Sequence, residues 1–107
     1  MIEHVVMWKF ADVAEGASRE ENMQIARNQL LALPAVIPEI KLMQVGRDVC
    51  HTDASYDMML VTRFESMQDL NVYRVHPAHV AVAAFIGKVT VARVALDAEL
   101  DGEGKLI

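Results

Sequence analysis

The chain has 107 residues, of which 53% are hydrophobic, and its 15 acidic against 10 basic residues give a formal net charge of −5. This length predicts one domain with a modest core, and the surplus of apolar residues predicts self-association. Charges interrupt every apolar stretch before the ~20 residues that a membrane helix needs, and the scattered basic residues argue against a nucleic-acid partner. The single cysteine, Cys50, predicts a disulfide-free protein of the reducing cytoplasm.

The first third of the chain predicts a strand followed by a helix. Residues 2–10 alternate, with His4 on the same face as the apolar even-numbered residues. After a loop, Ser18 and Glu21 fit a capping box, in which hydroxyl and carboxylate satisfy each other's backbone amides. Apolar residues then recur at helical spacing until Pro34, which we expect to end the helix.

The middle of the chain predicts two strands and a second helix. Residues 40–45 and 56–65 are expected to be strands, and Gly46 is expected to end the first of them. Ser66 begins a helix. Pro77 is tolerated in the first turn of a helix but not inside one, so this helix is expected to break and restart there.

The remaining residues predict a short helix, a last strand and a tail. The restarted helix is expected over residues 78–86 with Gly87 as its end, followed by a strand over 91–100. Residues 1–100 would then form the domain, and residues 101–107 a frayed tail.

The order β-α-β-β-α-β predicts an α+β, ferredoxin-like subunit, in which a four-stranded antiparallel sheet carries its helices on one face. The other face would be left bare, although its strands are partly apolar on that side as well. A second sheet from an identical chain would cover it, so we expect a homodimer joined through the open sheet face as a dimeric α/β barrel.

Residues 73–79 hold the side chains best suited to chemistry. Tyr73, His76 and His79 bring a phenol and two imidazoles together, which are groups that general acid–base catalysis uses. His79 is the candidate base and Tyr73 the candidate donor to a developing oxyanion, with His4 as a positioning group. The same residues could equally be buried polar groups at a helix corner, with His76 as the cap of the helix that begins at Pro77, and the sequence leaves this choice open.

Four short motifs follow one another along the chain: Ile2-x-His4-x-Val6-x-x-x-Phe10, Ile37-Pro38, Phe64-Glu65 and Tyr73-x-x-His76-Pro77-x-His79. In their order and spacing, the chain resembles the stress-responsive dimeric α/β-barrel (Dabb) family over residues 1–100. The resemblance implies a ferredoxin-like subunit that forms a homodimer by pairing its sheet with that of a second copy.

One plant member of that family is a polyketide cyclase that works without a cofactor. The resemblance implies that Tyr73 and His79 match its catalytic pair and that His4 and His76 match two of its other histidines. Met58 and Leu30 replace a histidine and a tyrosine that shape its pocket. We therefore count His76, Met58 and Leu30 as candidate substrate-binding residues and expect a different substrate.

Two functions stay open at this point. The first is a binding protein without chemistry, which holds a small apolar or aromatic molecule between sheet and helices. The second is a cofactor-free cyclase or lyase that removes a proton and closes a ring. No zinc-protease pattern and no phosphate-binding glycine loop occurs, so neither a metal nor another cofactor is expected.

Overall fold

A four-stranded antiparallel sheet carries the helices on one face in the computed structural model, which describes all 107 residues. The elements in chain order are β1 (Ile2–Phe10), β2 (Val13–Ala14), β3 (Ala17–Ser18), α1 (Arg19–Leu31), β4 (Leu42–Arg47), β5 (Met58–Phe64), α2 (Met67–Val75), α3 (Pro77–Val89) and β6 (Thr90–Glu99). The strand order β4-β5-β1-β6 confirms the predicted ferredoxin-like α+β fold.

The core lies between this sheet and the helices. Alternate residues of β1 are buried there, among them His4, Val6 and Trp8, as their alternation predicted. Helix α1 presents Met23, Ala26 and Leu30 to the same layer. A fully buried aliphatic or aromatic side chain stabilises the fold by about 1.5–3 kcal/mol. The helices therefore pack on the side of the sheet where β1 presents its apolar residues.

The start of α1 confirms the predicted capping box. The Ser18 hydroxyl accepts from the Glu21 amide at 3.2 Å, and the Glu21 carboxylate accepts from the Ser18 amide at 3.1 Å. The helix ends at Leu31, and Pro34 lies in the short 3₁₀ turn Leu33–Ala35 that follows. The loop before the helix is a small hairpin of β2 and β3, whose turn places Glu15 and Gly16 at positive φ.

Both glycines expected to end an element lie inside one. Gly46 stays paired with Met59 within β4, because an extended glycine does not interrupt a ladder of hydrogen bonds. Gly87 keeps a helical conformation, and α3 continues to Val89. That helix ends where the Thr90 hydroxyl donates to the Ile86 carbonyl at 2.8 Å and the chain turns directly into β6.

The other boundaries shift by one or two residues. The third and last strands of the main sheet begin at Met58 and Thr90. The tail folds back instead of fraying: Leu100 forms a bridge with Leu106, and the Ile107 amide donates to the Glu99 carbonyl at 3.1 Å. These backbone hydrogen bonds tie residues 101–107 to the end of β6.

The face of the sheet that no helix covers is apolar, and we call it the open face. Its exposed apolar side chains come from three neighbouring strands: Met7, Met59, Val94 and Leu96. In β6 the pattern is the reverse of that in β1, because its apolar residues lie on the open face and Arg93 and Asp97 lie on the helix side, paired with Trp8 and His4. None of the helices is long and apolar enough to cross a membrane.

Candidate functional site

The break between α2 and α3 organises the site. His76 is extended (φ −63°, ψ 132°), and its Nδ1 accepts from the Ala78 amide at 3.1 Å, which caps α3 as predicted. In an unbroken helix that amide would donate to the Arg74 carbonyl four residues earlier. The carbonyl accepts instead from His79 Nδ1 at 3.0 Å. Two imidazoles thus satisfy the Ala78 amide and the Arg74 carbonyl, which would have paired with each other in a continuous helix.

This break brings Tyr73 and His79 together. In a continuous helix, side chains six residues apart would point in directions about 120° apart around the axis. Here the ring centroids of Tyr73 and His79 are 4.2 Å apart, with the rings inclined at 41°. Phe64 packs against the other side of the tyrosine ring, with centroids 5.1 Å apart. The phenol is therefore held between the sheet and the imidazole of α3.

His79 is arranged as a neutral base. A carbonyl only accepts hydrogen bonds, so the contact with Arg74 assigns the proton of the neutral ring to Nδ1 and leaves Nε2 with a lone pair. Burial lowers the pKa of His79 below its ordinary value of 6.5, and the charges of His4, Arg93 and Arg74 lower it too, whereas the carbonyl contact raises it. Near neutral pH the ring therefore offers an acceptor nitrogen.

The hydroxyl of Tyr73 is buried and has no hydrogen-bond partner. It is the only buried side-chain polar atom of the protein in this condition. Burial raises the pKa of Tyr73 to about 12, although the charge of Arg93 lowers it slightly. The hydroxyl therefore remains a proton donor throughout the physiological range, and an orphan donor of this kind costs about 1–3 kcal/mol.

His4 is held by a chain of charged groups. Its Nδ1 forms a short hydrogen bond with one oxygen of Asp97, its cross-strand neighbour on β6. The other oxygen of Asp97 accepts from Arg74 Nη2 at 2.9 Å. The ring of His4 lies edge-on to that of Tyr73, with centroids 6.3 Å apart. The carboxylate thus fixes the orientation of His4, and α2 is anchored to β6 through the same group.

These side chains surround a cavity of about 120 Å³ between the sheet and the helices. His4, Tyr73 and His79 supply polar atoms to its wall, and most of the other lining residues are apolar: Val6, Trp8, Leu30, Leu60, Val82, Ala83 and Ile86. An apolar cavity of about 150 Å³ binds benzene, so this space suits a single small ring. The arrangement is a small, mostly apolar pocket in which the Tyr73 hydroxyl is a donor and Nε2 of His79 an acceptor.

Four of the six predicted site residues meet at this cavity, namely His4, Leu30, Tyr73 and His79. His76 is not in its wall, and its nitrogen serves the backbone of α3. Met58 is buried in the core on the helix side of the sheet, in register with Trp8, and it is not in the wall of this cavity; it borders only a second cavity, of about 460 Å³, which lies beside Met7, Met59 and Val94 on the open face. Nothing in the structure thus gives His76 or Met58 direct contact with a ligand in the first cavity.

The sequence did not single out the charged residues of the site. Asp97, Arg74 and Arg93 are not among the predicted site residues. The usable signal was the unusual pattern of β6, whose apolar side faces away from the helices. No cluster of three or more histidine, cysteine or acidic side chains is arranged to hold a metal ion.

The chain matches one protein family and several known proteins. The family described as Stress responsive A/B Barrel Domain matches residues 2–100. The stress-response A/B barrel domain-containing protein DABB1 of Arabidopsis thaliana is 30% identical over 82 residues, which are 77% of this chain but only 39% of that protein. This chain thus spans well under half of DABB1.

Two further similarities concern a named enzyme and a solved structure. Olivetolic acid cyclase of Cannabis sativa is 31% identical over 81 residues, which cover 74% of this chain and 76% of that protein. The crystal structure of a dimeric ferredoxin-like protein of unknown function from Thermobifida fusca superposes with a TM-score of 0.79 at 27% identity, covering 92% of this chain and 90% of that one.

The lowered pKa of His79 predicts a specific dependence of stability on pH. Because the folded protein binds this proton more weakly than the unfolded chain does, acidification from pH 6.5 downward favours unfolding until the folded pKa is passed. We expect the nuclear magnetic resonance titration of His79 to have its midpoint below 6.5. Urea unfolding at pH 6.5 and pH 5 should show a smaller acid loss for His79→Asn than for the unaltered protein. A midpoint above 6.5 would contradict a half-buried ring that is held neutral.

Proposed function

This chain belongs to the stress responsive A/B barrel domain family, and we propose that it is a homodimeric protein whose cavity binds a small apolar or aromatic molecule that carries an oxygen. The unpartnered hydroxyl of Tyr73 supports this proposal most directly. A buried donor without a partner weakens the fold. A ligand oxygen would satisfy it in the bound state, and the fixed ring would be ready to receive that oxygen.

A hydroxyl or carbonyl group of a ligand would suit the donor and the acceptor that Tyr73 and His79 provide. The Tyr73 hydroxyl donates to a ligand oxygen, and Nε2 of His79 accepts a proton from the same oxygen if it is a phenol or alcohol. The apolar wall from Val6, Leu30 and Val82 receives the ring of the ligand. This division into an apolar body and a few directed polar groups is the usual composition of small-molecule sites.

The dimer is proposed through the open face. Met7, Met59, Val94 and Leu96 form a contiguous apolar area on three adjacent strands, and such areas on a small protein mark interaction sites. The Thermobifida fusca relative is dimeric. We also propose a reducing location, the cytoplasm, because the lone Cys50 is exposed and unpaired.

A cofactor-free cyclase is the second candidate, supported by the pairing of Tyr73 with His79 and by the 31% identity to olivetolic acid cyclase. His79 Nε2 would remove a proton from a carbon next to a carbonyl, while Tyr73 donates to the enolate oxygen. The enolate carbon would attack a second carbonyl of the same molecule, which forms the new carbon–carbon bond. The resulting alkoxide would take the proton back from His79.

Removal of the Tyr73 hydroxyl allows its contribution to ligand affinity to be measured apart from its effect on the free energy of unfolding. Phenol and toluene have nearly the same shape, but only phenol offers an oxygen. For Tyr73→Phe we expect phenol affinity to fall about three- to tenfold, as for one lost hydrogen bond, with toluene affinity unchanged. The free energy of unfolding of the empty protein should stay constant or rise by about 1 kcal/mol, since the orphan donor is gone. Calorimetry measures the affinities, and urea unfolding measures the free energy of unfolding. A loss of stability without a loss of phenol affinity would show that the Tyr73 hydroxyl stabilises the fold and does not bind the ligand.

A charge on the open face tests the dimer. Leu96 is 67% exposed in the subunit, and Val13, in the small hairpin away from the sheet, is 72% exposed. Burying a carboxylate in an apolar interface is costly, so Leu96→Glu should convert a two-chain particle into a single chain. Val13→Glu is the matched control and should remain a dimer. Light scattering after gel filtration gives both masses, and an intact dimer of Leu96→Glu would place the interface elsewhere.

The cyclase candidate predicts proton abstraction from carbon. The protein should accelerate uptake of deuterium at the central carbon of acetylacetone above the buffer rate, and His79→Asn should abolish this acceleration while the dimer persists. His51→Asn is the matched control, because His51 is exposed and asparagine tolerates its positive φ. Equal rates for protein and buffer would leave ligand binding as the function.

A further inference from the structure

Arg93 occupies a special position at the cavity. It lies on β6 opposite Trp8, so its side chain is on the helix side of the sheet. It contributes to the cavity wall with Tyr73 and His79. The residue is nevertheless exposed, because β6 is the edge strand. Arg93 therefore stands where the cavity meets solvent, within reach of both.

Arg93 is also the one arginine without a partner. The other five are each held by an acidic side chain or a carbonyl: Arg19 by Asp12, Arg27 by Val45, Arg47 by Glu20, Arg63 by Glu3 and Arg74 by Asp97. The guanidinium of Arg93 makes no hydrogen bond and no ion pair, although its backbone belongs to the sheet. Acidic partners are plentiful in a chain with a net charge of −5. The guanidinium of Arg93 is nevertheless unpaired and is free to bind an anion beside the cavity.

The charge of Arg93 is not balanced by the acidic group nearest to it along the strand. Both oxygens of Asp97 are already engaged, one by His4 and the other by Arg74. No acidic side chain belongs to the wall of the cavity. The positive charge of Arg93 instead acts on the cavity itself, where it lowers the pKa of both Tyr73 and His79. The mouth of the cavity is thus positive overall.

We propose that the ligand of this cavity is a small carboxylate, whose anionic group is bound by Arg93 at the mouth while its apolar body lies between Tyr73 and the apolar wall. The proposal rests on the small-molecule binding proposed above and adds the charge of the ligand. A guanidinium matches a carboxylate with two parallel hydrogen bonds, which fixes the orientation of the bound molecule. A cavity of about 120 Å³ leaves room for little more than one ring inside this anchor.

Benzoate and benzamide test the proposal because they share a ring and a planar head group and differ in charge. We expect the unaltered dimer to bind benzoate about tenfold more tightly than benzamide, a typical effect of a partly desolvated, charge-assisted contact. Arg93→Gln should remove this preference by weakening benzoate alone. Arg93→Lys should retain part of it, since lysine keeps the charge but loses the paired geometry. Added salt should reduce benzoate affinity and leave benzamide affinity unchanged.

The control variant is Lys41→Gln, which removes the same charge from an exposed residue that makes no side-chain contact and lies outside the cavity wall. It should keep the preference for benzoate. Calorimetric titration gives the affinities, and light scattering confirms that each variant has the mass of the unaltered protein.

The possible failures are distinguishable. Equal affinities of the unaltered protein for benzoate and benzamide would overturn the carboxylate assignment and leave the binding function in place. Binding of neither probe would count against the binding function as well. An Arg93→Gln protein that dissociates into single chains but keeps its preference for benzoate would show that Arg93 serves the contact between subunits, and this would also overturn the assignment.

Discussion

The helix break at His76–Pro77 is the constraint on which the site depends. Proline cannot continue α2, because it has no amide hydrogen and its ring would collide with the preceding turn. The break removes the backbone hydrogen bond that the Ala78 amide would donate to the Arg74 carbonyl. The imidazoles of His76 and His79 bind these two groups instead. The same exchange turns His79 toward Tyr73 and fixes which of its nitrogens carries the proton. A single arrangement therefore closes the helix break and provides the groups that the proposed chemistry would use.

Most polar side chains of the site have hydrogen-bond partners, but the hydroxyl of Tyr73 has none. His4, Asp97 and Arg74 form a chain of contacts that links β1, β6 and α2 beside the cavity. Tyr73 is buried in the same region without a partner for its hydroxyl. Proteins tolerate such a cost where it serves binding or catalysis, and the gain in stability expected on its removal follows from this view.

The sequence predicted those features that depend on neighbours along the chain. The capping box at Ser18, the break at Pro77 and the side of β1 that carries His4 are local patterns of hydrogen bonding, ring geometry and alternation. Gly46 and Gly87 were misjudged because pairing with β5 and packing of α3 outweigh the weak tendency of a glycine to end an element. Tertiary context decides such cases.

The charged residues of the site could not be predicted without knowing how the strands of the sheet pair. His4 meets Asp97 across 93 positions of sequence, and only the pairing of β1 with β6 brings them together. Arg93 likewise could not be assigned to the site from the alternation of this strand alone. The role proposed for Arg93 depends on two facts that the sequence does not contain. Its side of the strand faces the helices, and every other arginine has a partner.

A crystal structure of the protein soaked in phenol tests the central claim most directly. We expect a phenol ring in the cavity between Tyr73 and the apolar wall, with its oxygen at hydrogen-bonding distance, about 2.7–3.0 Å, from the Tyr73 hydroxyl and from His79 Nε2. A cavity closed by side chains, with the Tyr73 hydroxyl bonded to a group of the protein itself, would contradict it.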